Sequence, residues 1–178
     1  MTSHRSTDAA PCRQWSEPHR LDLADPGTLR QLWQLQRAAY AVEAELIGFD
    51  GIPPLHETLQ ELRSCTESFL GVTDETGLVG AVSWARLHDG TLDICRLVVH
   101  PRAHRRGIAT ALLNSLDAME PAEVTLVSTG TANQPALALY QRRGFTPTGK
   151  RQIAPDVTVT LLARKTEAAP DGLPVHHS

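Results

Sequence analysis

A chain of 178 residues, 41% hydrophobic and 21% charged, has the composition of one globular domain large enough to bury a core. Its formal charge of −3 and aromatic content of 4% argue against a nucleic acid or an anionic membrane as partner, since both a global positive field and stacking platforms are missing. Cys12, Cys65 and Cys95 are odd in number and lack metal or redox spacing, which argues against a disulfide framework and for a reducing, cytoplasmic setting.

Residues 1–13 are polar, without the apolar run of a signal peptide, and are expected to form a disordered lead-in, with 167–178 as a matching tail. The domain is therefore expected over 14–166, and no stretch in it approaches the roughly eighteen apolar residues of a membrane helix. From Thr28 to about Ile47, apolar residues recur at helical spacing behind the cap chemistry of Asp25-Pro26-Gly27-Thr28. A second helix is predicted from Pro53 or Pro54 to Cys65, with proline in its first turn and Leu55, Leu59 and Leu62 on one side. Three strands follow, at 68–73, 78–87 and 91–100, with turn signals between them that predict an antiparallel meander.

Residues 107–119 read as an amphipathic helix, 123–129 as a buried strand, and 133–143 as a helix closed by Gly144. A last strand is predicted from Val157 to Leu162. Strand, helix, strand implies a parallel crossover, so the fold class is α/β: a mixed sheet, mostly antiparallel, with helices flanking it.

Two constellations carry chemistry. In the first, the strand ending Leu97-Val98-Val99 runs into a basic loop, and Gly107-Ile108-Ala109-Thr110 opens a helix. A helix start offers unpaired N–H groups and the positive end of the dipole. Small residues let a phosphate approach them, and Arg105 and Arg106 add charge, so the stretch suits a pyrophosphate, while the wider cluster with Arg102 suggests a small anionic ligand. Arginines before a helix are also commonly just solvated. The glycine spacing excludes a P-loop and a dinucleotide fingerprint.

In the second, Asn133 and Tyr140 stand seven residues apart on one helix face with the small Ala136 between them. An amide there can bond the amides of a pantetheine arm, and a phenol two turns on can deliver a proton. The plainer reading is an N-cap and a half-buried packing residue.

Together these residues resemble the GNAT superfamily of N-acetyltransferases. The run His104-Arg105-Arg106-Gly107-Ile108-Ala109 follows that family's donor motif, Gln/Arg-x-x-Gly-x-Gly/Ala, except at His104. Asn133, Ala136, Tyr140, Gly144 and Phe145 follow its later pattern in full. The resemblance implies a sheet that splays between the strands ending at Val99 and beginning at Glu123. A pantetheine arm would then pair with Leu97 to Val99, with the pyrophosphate on the amides of 105–110.

It further implies acetyl-CoA as co-substrate, no metal, a small-molecule amine or protein amino group as acceptor, and a homodimer. The alternative is a sensor of the same fold that binds acyl-CoA without turnover. Tyr140 would protonate the leaving thiolate, and the N–H of Val99 or a neighbour would serve the oxyanion. For the base the resemblance points to Asp93, fourteen residues before Gly107. Glu43 and Glu45 are rivals, and a strand-capping role for Asp93 stays open. The stretch 40–59 is expected to form the acceptor pocket, where Glu43, Glu45, Asp50 and Glu57 would suit a cationic amine such as a polyamine, an aminoglycoside or a lysine side chain.

Overall fold

The computed structural model describes residues 14–167, so both predicted tails, apart from residue 167, and Cys12 lie outside the described residues. Helix α1 (Pro26–Ile47) begins where the Asp25 carboxylate accepts the Thr28 N–H at 2.8 Å. It ends where Gly48, at φ 66°, turns the chain out of the helix. Its apolar stripe places Leu29, Leu32, Leu35 and Tyr40 in the core, together with the fully buried Gln36.

The second predicted helix is two helices, α2 (Pro53–His56) and α3 (Leu59–Ser64). Thr58 breaks it. Its hydroxyl accepts the Glu61 N–H and the Glu61 carboxylate accepts the Thr58 N–H, a capping box that starts a new helix.

The meander is present as β2 (Ser68–Asp74), β3 (Gly77–Arg86) and β4 (Leu92–Val99), after a two-residue edge strand β1 (His19–Arg20). Helix α4 (Ile108–Met119) crosses to β5 (Val124–Gly130), and α5 (Gln134–Arg142) leads to the hairpin β6 (Thr146–Ala154) and β7 (Val157–Lys165). The sheet order is β1-β2-β3-β4-β5-β7-β6, antiparallel except for β4 beside β5. The sequence reading missed β6 because all but its last residue are exposed and no apolar alternation marks it. The Pro155-Asp156 turn before β7 was the available signal, with Asp156 at φ 59°.

Two cores sandwich the sheet. On one face Leu112, Leu113 and Leu116 of α4 pack on Val82, Trp84, Leu92 and Ile94. On the other, Leu32 and Leu35 of α1 and Leu62 of α3 pack on Phe69, Ala81 and Val98. Each fully buried leucine contributes roughly 2 kcal/mol. Helix α4 lies so close to β3 that a Cβ on Gly80 would come within 2.5 Å of Ile108.

Two irregularities shape the site. Opposite the adjacent Ser83 and Trp84 of β3 stand Arg96 and Ile94 of β4, leaving Cys95 as an extra, bulged residue. And β4 pairs with β5 only through Leu92–Thr125 and Asp93–Leu126, after which the two strands part.

Candidate active site

The parting of β4 and β5 opens a cavity of about 730 Å³ between the ends of both strands, α1 and the starts of α4 and α5. Parallel strands normally continue their ladder side by side. Here the bulge at Cys95 bends β4, and α1 approaches the far end of β5 so closely that a Cβ on Gly130 would meet Ile47 at 2.5 Å. Beyond Asp93, the backbone of β4 faces the cavity without a partner strand.

Leu97, Val98 and Val99 line one wall, followed by His104, Arg105, Gly107, Ile108, Ala109 and Thr110. The predicted cradle is thus assembled on the cavity, apart from Arg106, which is not among the lining residues. Arg105 and Gly107 both take left-handed backbone, at φ 63° and 79°, to swing the loop into α4. No side chain caps α4, whereas Asp25, Thr58 and Asn133 cap α1, α3 and α5. A Cβ on Gly107 would have no atom within 4 Å. The helix start therefore presents open N–H groups and free space to the cavity, which fits a phosphate-bearing ligand.

Arg102 does not join this cradle. Its guanidinium bonds the Asp74 carboxylate at 2.8 Å and the Thr76 hydroxyl, clamping the β2–β3 turn. The same guanidinium holds the Asp74 carboxyl well below the usual carboxylate range. His104, the departure from the donor motif, lies with Nε2 3.2 Å from the Val99 carbonyl, tying the loop to the end of β4.

The opposite wall comes from α5. Asn133 caps the helix by accepting the Ala136 N–H at 3.3 Å, and Asn133, Ala136 and Tyr140 all line the cavity. Tyr140 is 5% exposed and packs edge-on against Phe145, ring centroids 5.6 Å apart. Both plain roles therefore hold, N-cap and packing residue, and the same two side chains also face the cleft. Burial, with the Glu43 charge, raises the Tyr140 phenol above its ordinary value and keeps it protonated.

Of the predicted acidic residues, Glu43 lines the cavity, while Glu45 is exposed and off it, because residues two apart on a helix face different ways. Burial pushes the Glu43 carboxyl up, against the pull of the Asn133 amide and the Gly130 N–H. Asp93 sits at the closed end of the splay, in register with Leu126 of β5, and is not among the lining residues. Its carboxyl is pushed up by burial and by Glu67. Cys95 does line the cavity, and its exposed thiol is pushed up by its setting and by the charges of Glu67 and Asp93, which disfavours the thiolate.

Sequence reading missed Arg96. This buried side chain, 9% exposed, donates to Glu57 at 2.6 and 3.1 Å, to Glu67 at 2.8 and 3.0 Å and to Gln36 at 2.9 Å. Gln36 in turn donates to Glu57 at 2.7 Å and to the Pro54 carbonyl at 3.4 Å. The network bolts α1, the α2–α3 junction and the start of β2 to the sheet beneath the cavity. A glutamine inside an otherwise apolar helix stripe was its only trace in the sequence.

Among the described residues, no helix is long and apolar enough to cross a membrane. Residues 66–147 match the family model of the acetyltransferase (GNAT) domain. The chain is 42% identical over 118 residues to UPF0157 protein YqkA of Bacillus subtilis (strain 168), covering 65% of this chain and 34% of that one. It is 34% identical over 110 residues to the mycothiol acetyltransferase of Mycobacterium ulcerans (strain Agy99), covering 55% and 32%. It thus spans about a third of the length of these curated relatives. The crystal structure of the PaiA N-acetyltransferase from Thermoplasma acidophilum in complex with coenzyme A superposes with a TM-score of 0.65 at 15% identity, over 84% of this chain and 98% of that one. The stretch similar to the acetyltransferase (GNAT) domain thus holds both motifs, and it lies on a splayed mixed sheet with the fold of the Thermoplasma acidophilum neighbour.

Proposed function

We propose that this protein transfers an acetyl group from acetyl-CoA directly to a primary amine. The observation that carries the reading is the shared cavity: an uncapped helix start on one wall, a protonated phenol on the other, and the half-buried Glu43 carboxyl lining it as well. The coenzyme A complex of the Thermoplasma acidophilum neighbour supports the choice of donor.

The residues fit that donor. The N–H groups of residues 107–110 would hold its pyrophosphate, aided by the charge of Arg105 and Arg106. The unpaired β4 edge at Leu97–Val99 would hold its amides, with Asn133 across the gap. Bound there, acetyl-CoA supplies an acyl thioester, the electrophile that no side chain of this protein provides. The chain's own tasks are three. Glu43 takes a proton from the entering ammonium, since a raised carboxyl is a stronger base than an ordinary one. A backbone N–H near Val99 serves the oxyanion. Tyr140, held protonated by burial, gives its proton to the departing thiolate. Asp93, at the closed end of the splay, has no part in this scheme.

The test is calorimetric titration with acetyl-CoA, with ADP and pantetheine as controls, followed by release of free thiol in the presence of amines. Micromolar binding that needs both halves of the donor, and amine-dependent thiol release, are expected. An absence of binding at millimolar acetyl-CoA defeats the reading.

A further inference from the structure

We infer that the acceptor is a primary amine with a single positive charge on an apolar body, its ammonium at Glu43 and its body against Val42, Leu46, Ile52 and Pro53. This rests on the acetyl-transfer reading and names the acceptor class within it.

The first argument is charge. By sequence, Glu43, Glu45, Asp50 and Glu57 would attract a polycation, but the fold removes three of the four. Glu57 is committed to Arg96 at 2.6 Å. Glu45 and Asp50 are exposed and line no part of the cavity. Among the described residues Glu43 alone of the carboxylates lines it, and its partly buried position suits one ammonium group. The cationic lining residues are Arg96, already held by two glutamates, and Arg105 in the cradle. A second ammonium would lose its water and meet no free counter-charge.

The second argument is surface. Val42, Leu46, Ile52, Pro53 and Pro54 form an apolar side of the same cavity, continuous with Glu43 through one face of α1. Leu46 is 48% exposed, a large apolar side chain left open where the cavity meets solvent. Apolar lining with one convergent charge is the ordinary composition of a site for an amphipathic small molecule. A polycation would gain nothing from these side chains and would dehydrate against them.

The experiment compares kcat/KM for 2-phenylethylamine and n-hexylamine with that for spermidine and kanamycin, in the full chain and in Leu46→Asp, with acetyl-CoA affinity measured alongside. Leu46 is exposed, so its replacement leaves the core intact. The apolar monoamines should lead by at least about tenfold, the scale of discrimination an apolar pocket gives. Leu46→Asp should shrink that lead with acetyl-CoA affinity unchanged. Equal or better use of the polycations overturns the inference. So does a preference that Leu46→Asp does not move, or acetyl-CoA binding without acetylation of any of the four amines. Failure to bind acetyl-CoA at all overturns instead the acetyl-transfer reading on which the inference stands.

Discussion

Tyr140 and Glu43 reach one cavity from α5 and α1, and burial shifts both groups upward with opposite consequences. For the phenol, the shift preserves a proton to give. For the carboxyl, it makes a better acceptor that still ionises as pH rises. Tyr140→Phe is expected to lower kcat about a hundredfold while calorimetry finds acetyl-CoA affinity nearly unchanged. The acidic limb of the kcat/KM profile should fall above the ordinary carboxyl value of 4.5, because Glu43 must be ionised to work. Glu43→Gln should abolish that limb along with most of the activity.

The same shift has a sign for stability. A raised folded-state pKa means that the folded protein holds the proton more tightly. The contribution is therefore fully present below the unfolded value and lost as pH rises through the folded one. Glu43→Gln should thus raise Tm at pH 8 relative to the parent and lose that advantage near pH 4, in paired thermal melts. The positions of these residues were half legible in the sequence. Tyr140 stood in a motif, whereas proposing Glu43 ahead of Asp93 and Glu45 required knowing where β4 and β5 part and which way α1 is rolled.

At the scale of elements, legibility followed local chemistry. Helix α1 announced itself by its cap, its period and its terminal glycine, and the three-strand meander by its turns. The break between α2 and α3 was equally local, written as Thr58-Leu59-Gln60-Glu61, but proline-led helical spacing masked it. Thr58→Ala should cost about 1 kcal/mol, read in urea unfolding, through loss of the cap alone. Gly107 tests the cradle. Its φ of 79° makes Gly107→Ala strained by about 1 kcal/mol, although the space for a methyl is open. The methyl would stand where a phosphate is proposed to lie. Calorimetry should therefore report weaker acetyl-CoA binding, while pantetheine alone is affected less. Strand β6 was illegible for the opposite reason: an edge strand exposed nearly throughout owes its place to β7, and nothing in its own composition demands it.

Across the whole molecule, long-range charge held what local patterns did not disclose. Arg96 reaches partners 29, 39 and 60 residues away in the chain. Arg96→Met should destabilise the fold by about 3–5 kcal/mol, because two glutamates would be left buried without a counter-charge. Adding Glu57→Gln and Glu67→Gln should recover part of that loss, which denaturant unfolding of the single and triple variants would measure.

The splay is the other global feature. Two residue pairs join β4 to β5, and past Asp93 an interior strand has the unsatisfied edge of an outermost one. An acyl donor bound in this slot as proposed would complete the sheet, linking occupancy to folding. At a ligand concentration a hundredfold above Kd, the folded state gains about 2.7 kcal/mol. On the proposed function, the protein's resistance to unfolding would then follow the acyl-donor supply. Stability would become a record of that supply, kept by a fold that leaves its own middle unfinished.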